Sequence, residues 1–149
     1  MTIRELREQI QTYLSTITAL PGVVCLLERD GTDQSEAETE ALRTKGLLIV
    51  VQNLVGSLGS RSQEGRLLKL DLAVPIAIIE NPIINLGVGG TGIVGEDALE
   101  TIARHLMGRA GPFGAMEVSG DSFGRIDEGD GVVVNYFVVS VPWVMRPNW

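Results

Sequence analysis

Alternating apolar and polar positions over residues 67–80 predict a long strand with one buried face. Pro75 lies in the middle of this run and cannot donate a ladder hydrogen bond, so we expect it at a sheet edge or a bulge. Asn81 and Pro82 end the strand. The residues that share its apolar face are Leu68, Leu70, Leu72, Val74, Ile76 and Ile78.

Two segments have the spacing of an amphipathic helix. The first begins with a capping box at Thr2–Glu5 and stops before Pro21, and the second runs from about Glu96 to Gly108. The apolar stripes consist of Ile3, Leu6, Ile10, Tyr13, Leu14 and Ile17 in the first helix, and of Leu99, Ile102, Ala103, Leu106 and Met107 in the second.

Shorter apolar runs predict the remaining strands. They cover residues 22–28, 46–54 and 132–144, with a further short strand at 115–119. The 132–144 run is apolar on both faces, so we expect it to be central or covered. Hairpins dominate this order of elements. We therefore expect an α+β fold, with a mainly antiparallel twisted sheet, a long hairpin and two helices packed on one face.

Between these elements we expect mobile loops at about residues 29–45, 55–66, 81–95 and 108–131. The first of them is acidic, and we expect one or two helical turns in it after Ser35. Its acids lack the alternating order around a central glycine that a calcium-binding loop needs. We therefore expect a solvated acidic loop and no metal site.

Composition narrows the class of protein. A chain of 149 residues, 44% of them hydrophobic, is long enough for one domain with its own core. The net charge of −7 argues against binding to a phosphate backbone as the main task. No apolar run reaches the roughly 18 residues that a membrane helix needs, and the charged N-terminus is unlike a secretory signal. Cys25 is the single cysteine, and we expect a buried thiol in a strand.

Residues 87–92 (GVGGTG) match GxGxxG, the fingerprint of a dinucleotide-binding turn. That turn joins a strand directly to a helix, whereas the predicted strand here ends near Glu80, roughly six residues too early. No acidic residue ends a following strand, and no Lys-Ser or Lys-Thr follows the glycines. We therefore expect a connector whose glycines supply positive φ angles. A small nucleotide- or phosphate-binding enzyme that uses this loop is the alternative hypothesis.

A catalytic constellation is hard to assemble from the other residues. His105 is the single histidine, and no nucleophile elbow presents Ser119 or Ser122 to it. One cysteine and one histidine are too few for a zinc site. A catalytic pair of carboxylates, such as Glu80 with Asp71, is an alternative that the sequence leaves open. We expect no catalytic residue, no cofactor and no metal, and by elimination a structural or assembly protein.

The segment AIIENPIINLGVGGTGIVGEDALETIARHLMG resembles a part of small tail and neck proteins in which a strand leads through E-x-P, Asn and Gly-Thr-Gly into a helix. The order of elements over most of the chain is similar to that of the tail terminator, or tail-completion, proteins of long-tailed bacteriophages, although the motif itself covers only residues 73–108. The resemblance implies a ring, usually of six subunits, that caps the tail tube and joins it to the head connector. It carries over no catalytic residues. An adaptor of a contractile injection machine is a further hypothesis.

The resemblance implies that the partners are further copies of the chain, the tail tube and the head-connector proteins, with DNA only as passing cargo and no membrane. The protein would be assembled in the host cytoplasm and would reside in the tail or neck of the virion. Its acidic balance suits a lumen through which DNA passes. The candidate interface residues are Leu58, Arg61, Arg66, Asn81, Pro82, Asn85, Gly90, Thr91, Phe113 and Phe123.

Overall fold

A computed structural model describes residues 1–28, 32–54, 57–64 and 67–146. The protein has an α+β fold, 31% helical and 36% strand, with a mostly antiparallel sheet, which confirms the predicted class. The helices are α1 (Ile3–Leu14), α2 (Thr32–Thr44), α3 (Pro82–Asn85) and α4 (Gly95–Leu106). The strands are β1 (Val24–Leu27), β2 (Leu47–Val51), β3 (Ser57–Glu64), β4 (Leu67–Glu80), β5 (Ala110–Gly111), β6 (Gly114–Ala115), β7 (Glu117–Val118), β8 (Gly124–Asp127) and β9 (Val133–Met145).

The main sheet is organised around β4. Its strand order is β1–β2–β4–β9–β7, with β3 also beside β4 and β8 also beside β9. β1 and β2 are a parallel pair connected through α2, whereas β4 is antiparallel to β2, β3 and β9. β4 pairs with β9 over almost its whole length, from Leu68 to Glu80. The prediction that the 132–144 run is central is thus confirmed, because β9 has neighbours on both sides.

The expected long hairpin is present, but its far end is a strand where a loop was predicted. β2 pairs with residues 76–80 of β4, and β3 pairs with residues 67–72. The prediction of a loop over 55–66 is therefore wrong for residues 57–64. It failed because strand pairing uses backbone hydrogen bonds, which a segment with few apolar residues can also form.

Pro75 lies in a central strand, opposite Val138 of β9, and not at the outer edge of the sheet. Its carbonyl oxygen accepts a hydrogen bond from the Gln52 N–H at 2.9 Å. The N–H and C=O of one strand residue point to the same side, so its missing donor faces the gap between β2 and β3. The prediction that Pro75 lies at an edge of the sheet was wrong. The gap between β2 and β3 nevertheless acts as a local edge beside the Pro75 nitrogen.

α1 and α4 pack on one face of the sheet, as predicted, and α2 packs on the opposite face. The prediction of one or two helical turns within residues 29–45 was therefore wrong. α2 has little apolar surface, and its buried Ala41 packs with Leu48, Val50 and Ala77. A contact this narrow leaves a weak periodic signal in the sequence. The main core on the other face includes Leu6, Ile10, Leu14, Ile102, Leu106, Phe137, Val139 and Val141.

The buried face of α4 differs slightly from the predicted stripe. Ala98 is fully buried, whereas Leu99 is half-buried and Met107 is exposed. The small side chain of Ala98 lets the helix approach the sheet closely, so the apolar stripe is rotated away from Met107. In the described part of the chain, no helix has the length and apolarity needed to cross a membrane.

Leu72→Asp should unfold the subunit, because position 72 is only 3% exposed and the new carboxylate would be buried without a partner. Leu99→Asp should cost less, about 1–2 kcal/mol, because its half-buried site leaves the carboxylate in contact with water. Urea unfolding followed by circular dichroism measures both. Equal losses from the two substitutions would contradict this assignment of the core.

The thiol of Cys25 provides a second test of the core. Burial raises its pKa from an ordinary value of 9.0 to about 12. Only the thiolate is nucleophilic, so at pH 8 the folded protein should react with iodoacetamide at least about 100-fold more slowly than the urea-unfolded chain. The folded pKa exceeds the unfolded one, so the stability that this thiol contributes is full below pH 9 and is lost as the pH rises towards 12. Cys25→Ala should remove that alkaline loss, and fast labelling of the native protein would contradict the burial.

Candidate functional site

A buried polar cluster joins the end of β4 to the start of α4. Its members Glu80 and Asn85 are 6% and 0% exposed. The side-chain amide of Asn85 donates to Glu80 Oε2 at 2.6 Å and to the Ile93 carbonyl oxygen at 2.7 Å. The Thr91 hydroxyl donates to Asn85 Oδ1 and accepts from the Ile93 N–H. Asn85 therefore ties α3 to the strand before it and to the loop after it.

The same Glu80 carboxylate closes the N-terminus of α4. The Gly95 N–H donates to Glu80 Oε2 at 3.1 Å, whereas the N-cap residue Val94 provides no side-chain bond. A Cβ at Gly95 would lie 2.8 Å from Glu80 Oε1, so only glycine leaves room for this approach. The positive end of the helix dipole, which holds a phosphate in nucleotide-binding folds, is here occupied by the protein's own carboxylate.

The N–H groups of the glycine loop donate to carbonyl oxygens of the loop itself and of neighbouring segments. Gly90 donates to the Gly87 carbonyl, Thr91 to the Lys45 carbonyl and Gly92 to the Asn85 carbonyl, at 3.2, 3.3 and 2.9 Å. A Cβ on Gly90 would overlap the Asn85 carbonyl. The positive φ angles of Gly89 and Gly92 agree with the predicted connector. These donors point into the protein, so they do not form a phosphate cradle.

Three aliphatic side chains project from this framework into solvent. Ile83 is 84% exposed, Leu86 is 55% exposed and Val88 is fully exposed. We call these three residues the apolar knob. No charged side chain occurs between Asn81 and Gly95, in a chain of which 21% is charged. Three exposed aliphatic side chains within six positions of one uncharged segment make this segment a candidate interaction surface.

A second apolar surface lies on the face of the sheet that also carries α2. It is a cleft of about 280 Å³, and we call it the apolar cleft. Gln52 lies at one end of β2, beside the cleft, and completes its lining. The other residues that line it are Pro75, Ala77, Ile126, Val134, Tyr136 and Val138. None of the described lining residues is charged, so this part of the apolar cleft can accept an apolar group without desolvating an ion.

The structure brings five of the ten predicted interface residues together at the framework of the apolar knob. The Asn81 side chain accepts from the Ile84 N–H, and Pro82 is the first residue of α3. The other three are Asn85, Gly90 and Thr91, described above. Asn85 is fully buried and Thr91 partly so; they hold the surface in place and are not the surface itself.

The other predicted interface residues do not join this group. Leu58 and Arg61 lie in β3, where the structure describes only the backbone, and Arg66 lies outside the described residues. Phe113 and Phe123 are partly exposed and pack against Trp143 and Phe137 in turn. Sequence reasoning missed the knob residues themselves. The available signal was a run of uncharged residues in which isolated aliphatics alternate with glycine and asparagine.

His105 and Ser122, which a catalytic triad would use, each contact a backbone carbonyl oxygen a few residues away. His105 Nδ1 lies 2.8 Å from the Thr101 carbonyl oxygen of its own helix, and the Ser122 hydroxyl donates to the Ser119 carbonyl oxygen at 2.6 Å.

Arg7 of α1 donates to the carbonyl oxygens of Glu28 and Gln52, both at 3.0 Å, and so covers the carboxyl ends of the parallel strands. Within the described residues, no group of three or more His, Cys, Asp or Glu side chains could hold a metal ion.

Comparison with known proteins adds no relative to this picture. No protein-family model matches the chain, and no curated protein matches it either.

Gly90→Ala should destabilise the protein by about 3 kcal/mol, because its methyl group would overlap the backbone of α3. Gly89→Ala is the matched control: it adds the same methyl group in open space and should cost about 1–2 kcal/mol for its positive φ alone. Urea unfolding measures both changes. A Gly90→Ala protein as stable as the control would show that the loop does not pack on Asn85.

Proposed function

We propose that the chain is a structural assembly subunit: a tail terminator or tail-completion protein of a long-tailed phage, which forms a ring that caps the tail tube and joins it to the head connector. The observation that carries the proposal is the apolar knob. It presents three aliphatic side chains on a segment fixed from below by buried hydrogen bonds. The proposal of a phage tail rests on the resemblance of residues 73–108.

The energetics of the apolar knob favour assembly. Exposed aliphatic surface is unfavourable in water, and burying it in a partner gains roughly 25 cal/mol per Å². Because the buried hydrogen bonds of Asn85 already order the loop, little conformational entropy remains to be lost on binding. A preformed, uncharged apolar surface therefore suits a permanent contact between proteins better than binding of a charged small molecule.

The nucleotide-binding alternative has less support from the geometry. A phosphate at the glycine loop needs N–H groups that point at it, together with the free N-terminus of a helix. Three loop N–H groups donate to carbonyl oxygens, and the Gly95 N–H donates to Glu80. An adaptor of a contractile injection machine would use the same surface in the same way, so it remains a variant of the proposal.

The purified protein should form a closed ring, with six subunits expected, whose population rises with protein concentration. Native mass spectrometry and sedimentation velocity measure the assembly, and negative-stain microscopy shows closure. ATP, NAD or inorganic phosphate at millimolar concentration should shift the melting temperature by less than about 1 °C, because ligands that do not bind give no stabilisation. A persistent monomer that nucleotides stabilise would overturn the proposal in favour of the enzyme.

A further inference from the structure

We propose that the apolar knob of one subunit docks into the apolar cleft of the next copy of the chain. This inference rests on the proposed ring and names the contact that builds it. The occupant of the cleft would be the side chains of Ile83 and Val88, the two most exposed members of the knob. The cleft would in turn contribute Ile126, which is 48% exposed in the single chain, as a wall of the pocket.

The two surfaces match in chemistry and in size. The knob is aliphatic, and the cleft is lined by apolar side chains with one amide, that of Gln52. A cavity of about 150 Å³ is enough to bind benzene, so the roughly 280 Å³ of the cleft has room for one or two aliphatic side chains. Filling it would bury apolar surface on both partners.

Charge restricts where two copies can meet. Each chain carries a net charge of −7, so most surfaces of two copies repel each other. Residues 81–95 contain no charged side chain, and neither do the described residues that line the cleft. A contact between these two sets of residues therefore buries no unpaired ion, which would be costly. Among these residues, the contact brings no two like charges together.

The apolar knob cannot fill the cleft of its own subunit. Ala77 in the cleft precedes the end of β4 by three positions, which is about 10 Å of extended strand, and the knob begins beyond that end. The high exposure of Ile83 and Val88 shows that neither side chain is buried against its own chain. In the proposed ring, the knob of each subunit meets the cleft of the next one head to tail, and the repetition of this heterologous contact closes a ring when the rotation permits.

Two variants, each defective in one surface, test the inference. Ile83→Asp/Val88→Asp disables the knob and leaves the cleft intact, whereas Ile126→Asp disables the cleft and leaves the knob intact. Met145→Asp is the matched control, because Met145 is 41% exposed and lies on the opposite face of β9 from the cleft residues Val134 and Tyr136. Melting temperatures establish that each variant is folded, and Ile126→Gln replaces Ile126→Asp if the charge prevents folding.

Each defective variant alone should be monomeric at concentrations at which the wild type assembles. The concentration needed for assembly should rise about 30-fold or more, which is the effect of losing a hot-spot residue. Met145→Asp should assemble as the wild type does. Mixing the knob-defective and cleft-defective variants restores one intact contact per pair. Sedimentation velocity of the mixture should therefore show a one-to-one dimer and nothing larger.

The outcomes separate this inference from the proposed function. A wild-type ring together with a mixture that stays monomeric would overturn the knob-in-cleft contact and leave the ring standing. A cleft variant that assembles normally would also overturn it, because the knob would then bind elsewhere. A wild-type protein that never assembles would overturn the ring, and this contact with it.

Discussion

The carboxylate of Glu80 is buried, and its hydrogen-bond partners lie on both sides of the glycine loop. A buried carboxylate without partners is strongly destabilising, so Asn85 and the N-terminus of α4 must remain in place around it. β4 is the central strand of the sheet, and α4 is one of the two helices on its main core. The hydrogen bonds of Glu80 therefore connect the central strand of the sheet to the core helix and hold both ends of the intervening segment.

That constraint explains an unusual distribution of polarity between residues 81 and 95. The polar side chains of Asn85 and Thr91 point inward and satisfy buried groups, while the aliphatic side chains of the apolar knob point outward. In an ordinary surface turn the arrangement is the reverse. The buried hydrogen bonds thus hold the segment that carries the apolar knob. A surface that is already ordered loses less conformational entropy in any contact it makes. The second exposed apolar surface, the apolar cleft, lies on the face of the sheet that carries α2.

Elements with a strong periodic signal agree with the predictions, and elements without one do not. The Thr2 capping box, β4 and the buried face of β9 are all present as expected. α2 was missed because the described side chains that pack it on the sheet, Ala41 and Leu42, are neighbours in sequence and give no periodic pattern. β3 was missed because backbone pairing needs no apolar pattern. Half of the predicted interface residues cluster at the knob framework. The exposed aliphatic residues of the knob were not predicted, because the sequence alone does not distinguish an exposed Ile, Leu or Val in a loop from one that packs in the core.

Residue order alone was enough to establish the fold class, the two core helices and the poor fit of GVGGTG to a nucleotide-binding turn, because these depend on local spacing and on glycine's conformational freedom. The role of that loop depended on three-dimensional contacts. Gly95 meets Glu80 across fifteen positions, and Thr91 donates to the carbonyl of Lys45, which lies just before β2. No periodicity links such positions. Whether a helix N-terminus is free or filled by a carboxylate is decided only when the folded chain brings that carboxylate to it.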